Sequence, residues 1–179
     1  MNFIDLTLLL SVILAVFSIV WSTLKTGISP MMSSSKARDA MLDELELEKE
    51  GAVIDLGSGW GTLVIPLAKK YPNKQIVGYE LSWLPWLVSI ILKYSLRLDN
   101  LTIHRKDFRN AELNTASNII CYLFPGAMIA LQEKLEKKVF NKVTIVSNTF
   151  ALPSYKPTKI TKLNDFYRSP IYVYHWSQK

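Results

Sequence analysis

The sequence predicts an α/β protein with a mostly parallel sheet and helices on both of its faces. Three observations support this prediction. Short apolar segments typical of buried parallel strands alternate with segments of helical periodicity over residues 52–148. A turn containing Gly57, Gly59 and Gly61 directly follows the first of these strands. An acidic residue, Glu80, ends the second strand, about one β-α-β unit further on.

The N-terminal segment predicts a transmembrane helix. Residues 3–24 contain no Lys or Arg, and their only charge is Asp5, so the run is long enough to cross a bilayer. A cleaved signal peptide is the alternative, but no positive region precedes the run and no small-x-small site follows it. A buried core helix fits less well, because the run is apolar on every face. The first later charges, Lys25, Lys36 and Arg38, place the C-terminal domain in the cytoplasm of a single-pass membrane protein.

These patterns divide the chain into a transmembrane anchor (1–25), a connector with a lead-in helix (26–50) and a folded domain (51–179). Ser33 or Ser34 is a natural N-cap for the lead-in helix, which we expect to begin near Lys36 and to end at Gly51. Its apolar side comprises Ala37, Ala40, Met41, Leu45 and Leu47. Its acidic residues, Asp43, Glu44, Glu46 and Glu48, are expected to face water.

The first strand, the glycine turn and the next helix form a ligand-binding arrangement. The strand is short, apolar and β-branched at its start, and after the turn Leu63, Val64, Leu67 and Ala68 recur at helical spacing. A glycine turn between strand and helix presents free N–H groups and a positive dipole end to a ligand. At the end of the next strand, Glu80 is well placed to accept hydrogen bonds from ribose hydroxyls.

The remaining elements continue the alternation of strands and helices. The predicted elements are strand 52–56, helix 60–70, strand 75–80, helix 82–98, strand 101–106, strand 117–124, helix 126–138 and strand 142–148. The tail adds strand-like runs at 159–165 and 171–176, separated by Ser169 and Pro170.

The glycine motif distinguishes between nucleotide-binding classes. The pattern is D-x-G-x-G-x-G from Asp55, whereas the dinucleotide fingerprint is G-x-G-x-x-G, and no G-K-[ST] phosphate loop is present. Together with Glu80, this pattern resembles motifs I and II of the class I S-adenosylmethionine-dependent methyltransferases. The resemblance implies a Rossmann-like, seven-stranded sheet completed by a terminal hairpin. It also implies S-adenosylmethionine as the cofactor, with the loop around its amino-acid part.

Further motifs indicate which family within this class the chain resembles. V-G-Y-E-L near residue 77, K-D-F near 106, N-I-I-C-Y-L-F-P near 118 and S-N-T-F-A-L-P near 147 follow in order after the apolar N-terminal segment. The chain resembles the small lysine methyltransferases that modify the mitochondrial adenine nucleotide translocase and the ATP synthase c subunit, together with their prokaryotic relatives. The resemblance implies that Glu80 binds ribose and that Asp107 and Phe108 flank the adenine. It assigns the methionine moiety to Asp55, Gly57, Ser58, Gly59 and Gly61, and the methyl-transfer site to Phe124 and Pro125.

One segment departs from the family pattern. The family commonly has Asp-Gly-Arg where this chain has Trp60, Gly61 and Thr62. Loss of an acid beside the ammonium group of the cofactor could weaken binding, or Trp60 could instead cover the sulfonium or amino-acid end. A domain that has lost cofactor binding is therefore an alternative.

Composition and side-chain patterns exclude several other chemistries. Cys121 is the only cysteine and lies in an apolar strand, and His104 and His175 have no metal-ligand spacing, so no metal is expected. No Ser/His/Asp or Cys/His constellation is present. The net charge of +6 comes from scattered basic residues, which fits a membrane surface better than a nucleic acid.

The family resemblance and the apolar run of residues 3–24 together imply a membrane-anchored protein-lysine methyltransferase whose partners are the bilayer and a membrane protein. Two alternatives remain open: methylation of a lipid, quinone or other membrane-soluble small molecule, and a non-catalytic, membrane-tethered binding domain. Asn148, Phe150 and Tyr155 follow the fifth strand of the domain and could line an acceptor pocket, although loop packing explains them equally well.

Overall fold

The computed structural model describes residues 2, 4–10, 12, 13, 16, 20, 33–47, 50–137 and 142–177. In chain order the elements are α1 (Ser35–Asp43), β1 (Ala52–Leu56), α2 (Val64–Lys70), β2 (Ile76–Glu80), α3 (Trp83–Ser95), β3 (Leu101–Arg105), a 3₁₀ turn (Phe108–Asn110), β4 (Ala116–Cys121), α4 (Pro125–Glu136), β5 (Val143–Asn148), β6 (Lys159–Lys162) and β7 (Pro170–Trp176).

Within the described residues, seven strands form one sheet in the order β3-β2-β1-β4-β5-β7-β6. Strands β1 to β5 pair in parallel, and β7 pairs antiparallel with both β5 and β6. The strand order reverses direction between β1 and β4, which is where α/β folds place their ligands. The structure confirms the predicted α/β sheet and its terminal hairpin.

Helices cover both faces of the sheet because the strands carry apolar residues on both sides. In β1, all five residues are buried; Ala52, Ile54 and Leu56 belong to one core cluster and Val53 to the other. The first cluster contains the α4 residues Met128, Leu131 and Leu135. The second contains buried residues of α1 and α2, namely Ala37, Met41, Val64, Ile65, Leu67 and Ala68.

Two elements are shorter than predicted at the edge where β1 to β5 end. Strand β4 ends at Cys121 rather than at residue 124, because its ladders to β1 and β5 end there. The next three residues leave the sheet, and α4 begins at Pro125, whose missing N–H is tolerated in the first helical turn. Helix α2 begins at Val64 rather than at residue 60, since the glycine turn extends further than predicted.

The acidic residues of the lead-in segment differ from the prediction. Ser34 caps α1 as predicted, but the helix ends at Asp43 rather than at Gly51. Glu44 accepts hydrogen bonds from Lys159 Nζ and Thr161 Oγ1, each at 2.9 Å. The prediction that the acidic cluster faces water is therefore wrong for Glu44.

The prediction holds only in part for Glu46, whose side chain is 37% exposed, while Glu48 lies outside the described residues. Glu46 accepts a hydrogen bond from Thr144 Oγ1 at 3.0 Å and lies 3.5 Å from His175 Nδ1. Burial of Ala37 and Met41 in the core brings the end of α1 towards β5, β6 and β7, so these carboxylates tie the lead-in segment to the sheet.

The predicted transmembrane segment, residues 3–24, is only partly described. Residues 4–10 are helical, and Leu6 N–H donates to the Asn2 carbonyl at 3.1 Å. The apolar side chains described in this segment are exposed, including Ile4, Leu8 and Val16. In the described part of the chain, no helix has both the length and the apolar character needed to cross a membrane. The rest of the predicted anchor lies outside the described residues.

Candidate active site

A cavity of about 390 Å³ lies where β1, β2 and β4 end. Its volume is in the range of ordinary small-molecule sites. Nine of the ten residues predicted from the sequence line it: Asp55, Gly57, Ser58, Gly59, Glu80, Asp107, Phe108, Phe124 and Pro125. The parallel strands explain this convergence, because their carboxyl ends meet at one edge of the sheet.

Glu80 holds the glycine turn in place. Its Oε2 accepts a hydrogen bond from Gly59 N–H at 2.8 Å, and its Oε1 accepts one from Ser82 N–H at 2.6 Å. The N–H groups of Gly57 and Ser58 donate to the Tyr79 carbonyl at 2.8 and 3.0 Å. A carboxylate offers about four acceptor sites, so Glu80 keeps capacity for hydroxyl donors in the cavity.

Asp55 places a buried carboxyl on the cavity wall. It is 6% exposed, and no described residue donates a hydrogen bond to its side chain. Burial, followed by the nearby charge of Glu80, raises the pKa of Asp55 to about 7. A cationic group in the cavity would supply the missing counter-charge.

Ser58 and Gly61 have packing roles that the sequence pattern did not reveal. Ser58 Oγ is buried without a hydrogen-bond partner among the described residues, and a Cβ on Gly78 would lie 2.7 Å from it. Gly61 is absent from the cavity lining. A Cβ there would lie 2.7 Å from Ile65 Cδ1 and 3.1 Å from Ser89 Cβ, so Gly61 lets the turn pack against α2 and α3.

An ion pair organises the segment after β3. The Asp107 carboxylate accepts hydrogen bonds from Arg109 N–H at 2.9 Å and from Arg109 Nη2 at 2.7 Å. Burial raises the pKa of Asp107, but the hydrogen bonds and charge of Arg109 outweigh it, so the pKa lies below its usual value. Lys134 Nζ of α4 donates to the Arg109 carbonyl at 2.7 Å, which links this segment to the helix behind Pro125.

The cavity lining also contains apolar and aromatic side chains. Phe124 and Pro125 lie there as predicted, together with Tyr122 and Phe150, whose rings stack with centroids 6.3 Å apart. Thr149, which precedes Phe150, has a φ of +66°, a strained conformation for a β-branched residue.

The three residues suggested for an acceptor pocket separate in the structure, since Phe150 lines the cavity and the other two do not. Asn148 Nδ2 donates to Ser33 Oγ at 3.3 Å, and the Tyr155 ring packs 4.4 Å from the Trp176 ring. Sequence reasoning missed Ser33 and Tyr122, both of which line the cavity. The position of Tyr122, next to the carboxyl end of a central strand, is a signal that could have identified it.

The described residues offer no alternative catalytic centre based on a metal or thiolate. His, Cys, Asp and Glu nowhere form a group of three that could hold a metal ion in this part of the chain. Cys121 is fully buried, and burial raises the pKa of its thiol to about 12, so it stays protonated at neutral pH.

Comparison with known proteins identifies the family. Residues 55–159, more than half of the chain, match the ANTKMT methyltransferase domain. The chain belongs to this family. It is 30% identical over 115 residues to the adenine nucleotide translocase lysine N-methyltransferase of Mus musculus, which covers 63% of this chain and 49% of that protein. It is 25% identical over 127 residues to a protein-lysine N-methyltransferase of Saccharolobus islandicus (strain REY15A), covering 70% of this chain and 78% of the relative.

The chain spans about half the length of the curated animal relatives it matches. Solved structures show the same fold. An RNA methyltransferase from Salinibacter ruber, in complex with S-adenosyl-L-homocysteine, superimposes with a TM-score of 0.74 at 20% identity, covering 83% of this chain and 95% of that one. A SAM-dependent methyltransferase from Aquifex aeolicus superimposes with a TM-score of 0.60 at 14% identity, covering 77% and 88%.

The ANTKMT family match confirms the prediction of a methyltransferase, and together with the structural neighbour bound to S-adenosyl-L-homocysteine it confirms S-adenosylmethionine as the cofactor. The residues of the cavity fit this cofactor. Asp55 is a buried carboxyl without a hydrogen-bond donor among the described residues, as a site for an ammonium group requires. Gly59 has open space where a Cβ would stand, with its nearest neighbour 4.0 Å away, so a ligand can approach the backbone there.

Proposed function

We propose that this chain is a membrane-anchored, S-adenosylmethionine-dependent methyltransferase that modifies a lysine of a membrane protein. The observation that carries the proposal is a cavity lined by two unlike sets of residues. The polar set, here called the polar wall, contains Asp55 and Glu80, and the aromatic set, here called the apolar wall, contains Tyr122, Phe124 and Phe150. The names of the relatives, which are lysine N-methyltransferases, support the choice of acceptor.

The polar wall would hold the cofactor. We assign its amino-acid part to Asp55 and the turn around Gly59, its ribose to Glu80, and its adenine to the segment of Asp107 and Phe108. When bound, S-adenosylmethionine supplies a methyl group on a positively charged sulfur. The chain contributes orientation and a site that excludes water.

The apolar wall would receive the acceptor. A lysine amine must be neutral to accept a methyl group, and an apolar environment lowers the pKa of an amine by desolvation. Phe124, Pro125 and Phe150 provide such surroundings, and the aromatic rings also favour a cationic side chain as it enters. No general base in the chain is assigned, because desolvation alone favours the reactive form.

Membrane anchoring and topology are part of this proposal. We assign residues 1–25 to a single-pass anchor, 26–50 to the connector and lead-in helix, and 51–179 to a cytoplasmic methyltransferase domain. The apolar run of residues 3–24 supports the anchor, and the basic residues that follow it support the orientation. The exposure of the apolar side chains described in that run agrees with a lipid partner.

The Asp55 carboxyl is expected to make cofactor binding pH-dependent. Because its pKa is about 7 in the folded protein, Asp55 is protonated at pH 6 and charged at pH 8. An ammonium group binds the charged form, so affinity for S-adenosylmethionine should rise as pH rises through about 7. Titration calorimetry from pH 5.5 to pH 7.5, below the range in which the α-amino group of the cofactor loses its own proton, measures this, and Asp55→Asn should bind weakly with no such rise. A wild-type affinity that stays flat across pH 7 would contradict the assignment.

The same carboxyl should affect stability in the cofactor-free protein. The unfolded chain loses the Asp55 proton near pH 3.8 and the folded protein near pH 7. Between these values the folded state binds more protons, so the contribution of Asp55 to stability falls as pH rises and is constant above about 7. Asp55→Asn should therefore gain stability relative to wild type across this window, as denaturant unfolding at several pH values would show.

A labelling experiment tests the acceptor. Full-length protein is incubated with membranes and S-adenosylmethionine carrying a labelled methyl group, and label is then sought in protein and in extracted lipid. We expect label on lysine in integral proteins, identified by mass spectrometry, with Glu80→Ala as the inactive control. Label found only in extracted lipid or quinone would overturn the lysine assignment. Cofactor binding without any transfer would favour the non-catalytic alternative.

Anchoring in the membrane should also affect the rate of methylation. Deleting residues 1–25 should slow methylation of a membrane-embedded acceptor more than methylation of a soluble peptide with the same lysine, because tethering raises the effective concentration of acceptors in the same bilayer. Equal slowing of both reactions would argue against an anchoring role.

A further inference from the structure

The turn between β6 and β7 carries the most exposed aromatic side chains of the described domain. Phe166 is 94% exposed and Tyr167 is 84% exposed, and their rings pack edge-on with centroids 5.2 Å apart. Exposed apolar residues of this size often mark an interaction surface when they cluster. Nothing in the proposed catalytic chemistry uses this pair.

The base of the turn is fixed to the domain, so the exposure does not come from a loose loop. Leu163 and Ile171, on either side of the turn, are buried in the second core cluster. Leu163 N–H donates to the Ser169 carbonyl at 3.0 Å, and the Asp165 carboxylate accepts from Ser169 N–H at 2.8 Å. The framework therefore holds both rings out from the protein surface.

The turn lies at the same end of the sheet as the cavity, where the parallel strands have their carboxyl ends. Because β7 runs antiparallel to β5, its first residues pair with the last residues of β5. Thr149 N–H donates to the Pro170 carbonyl at 2.8 Å, and the next residue, Phe150, lines the cavity. Phe166 and Tyr167 therefore lie at the same end of the sheet as Phe150 and the cavity.

The N-terminal segment joins the domain at the same edge. Ser33 lines the cavity, and Lys36 Nζ donates to the Asn164 carbonyl, in the aromatic turn itself, at 3.0 Å. The apolar run of residues 3–24 ends only nine residues before Ser33. A chain that leaves a bilayer there enters the domain beside Phe166 and Tyr167.

Charge and further apolar exposure at this edge also suit a membrane surface. Lys36, Lys162 and Arg168 are exposed around the turn, and basic residues favour anionic headgroups. On the β2 side of the cavity, Leu81 and Trp83 are 41% and 51% exposed. Aromatic side chains with neighbouring basic residues are typical of the boundary between headgroups and acyl chains.

We propose that the β6–β7 turn, through Phe166 and Tyr167, docks on the lipid bilayer and holds the cavity edge of the domain against the membrane surface. This inference rests on the membrane anchoring proposed above. Its consequence is that an acceptor lysine reaches the cavity from the level of the headgroups rather than from bulk water.

A single-cysteine label tests the docking. Cys121 is buried and protonated, so a thiol introduced on the surface can be labelled selectively. The environment-sensitive fluorophore NBD is attached to the cysteine of the full-chain variant Phe166→Cys. The variant Tyr167→Cys is labelled in the same way in a separate protein. Asn73→Cys is the matched control, since it is exposed in the turn before β2, at the opposite edge of the sheet. Each protein is reconstituted into vesicles of phosphatidylcholine and phosphatidylserine, with and without doxyl-labelled phosphatidylcholine.

Vesicle flotation, measured on the same samples, reports anchoring separately from docking. We expect the protein to float, and the label at 166 or 167 to shift to shorter wavelength and to be quenched by doxyl lipid, while the label at 73 remains aqueous. Flotation with aqueous labels at 166 and 167 would overturn the docking and leave the anchor standing. Absence of flotation would overturn both. Shielding without doxyl quenching would assign the turn to a protein contact, such as a second copy, and would overturn the bilayer as its partner.

Discussion

Replacing Glu80 with alanine is expected to lower the affinity for S-adenosylmethionine by roughly 100-fold, about 3 kcal/mol. The carboxylate has two roles, because it is assigned to the ribose hydroxyls and also accepts the N–H groups of Gly59 and Ser82. Its removal leaves these donors without their partner and releases the turn that approaches the ligand. Titration calorimetry measures the affinity, and denaturant unfolding should show a loss of stability of about 1–3 kcal/mol.

Two further variants test whether the loss of affinity comes from these hydrogen bonds or merely from removing a negative charge. Glu80→Gln is expected to be nearly as damaging as alanine, because its amide NH₂ would face one of the two N–H donors that now bind Oε1 and Oε2. Asp99→Ala removes an equal charge from an exposed residue just before β3, at the far edge of the sheet, and should leave affinity unchanged. Normal binding by a folded Glu80→Ala protein would remove the proposed cofactor site.

The sequence predicts the sheet and most of the cavity because both depend on local patterns. Buried parallel strands are short apolar runs, and their carboxyl ends meet wherever the strands lie side by side. Asp55, Glu80, Asp107 and Phe124 each lie at or just beyond a predicted strand end. Knowing the strands was therefore enough to bring these four residues to one cavity.

Contacts between distant segments could not be predicted in the same way. Glu44 meets Lys159 across 115 positions of sequence, and this contact depends on how α1 packs on the sheet. The hydroxyl of Ser58 lies against Gly78 because β1 and β2 are paired in register, a fact that no glycine motif encodes. The prediction that the acidic residues face water fails for Glu44 for this physical reason, whereas Asp43 is exposed as predicted.

The glycine motif shows most clearly what a sequence pattern cannot predict, because its glycines have different roles in the structure. Gly59 has a φ of +52° and open space in the direction of a Cβ, whereas Gly61 has a φ of +78° and two neighbouring side chains within about 3 Å. A sequence pattern requires glycine at both positions without saying which one faces the ligand. The structure assigns the first to the cavity and the second to packing between the turn and the helices.

Replacing these two glycines with alanine should therefore affect different properties: stability at Gly61 and cofactor binding at Gly59. Gly61→Ala is expected to lower the free energy of unfolding by about 2–5 kcal/mol, since left-handed backbone costs ~1–2 kcal/mol for a residue with a Cβ and crowding against Ile65 and Ser89 adds ~1–3 kcal/mol. Gly59→Ala incurs only the backbone cost, because its Cβ meets no atom closer than 4.0 Å. Denaturant unfolding of the two cofactor-free proteins measures this difference.

Cofactor binding should follow the reverse order. The methyl group of Gly59→Ala enters the cavity, so affinity for S-adenosylmethionine should fall about 10-fold or more, and Gly59→Val should fall further. Gly61→Ala, measured well below its melting temperature, should keep an affinity closer to wild type, because position 61 does not line the cavity. If Gly59→Ala bound normally while Gly61→Ala lost binding at full stability, the ligand would lie against the second half of the turn, and the cofactor orientation assigned here would have to be reversed.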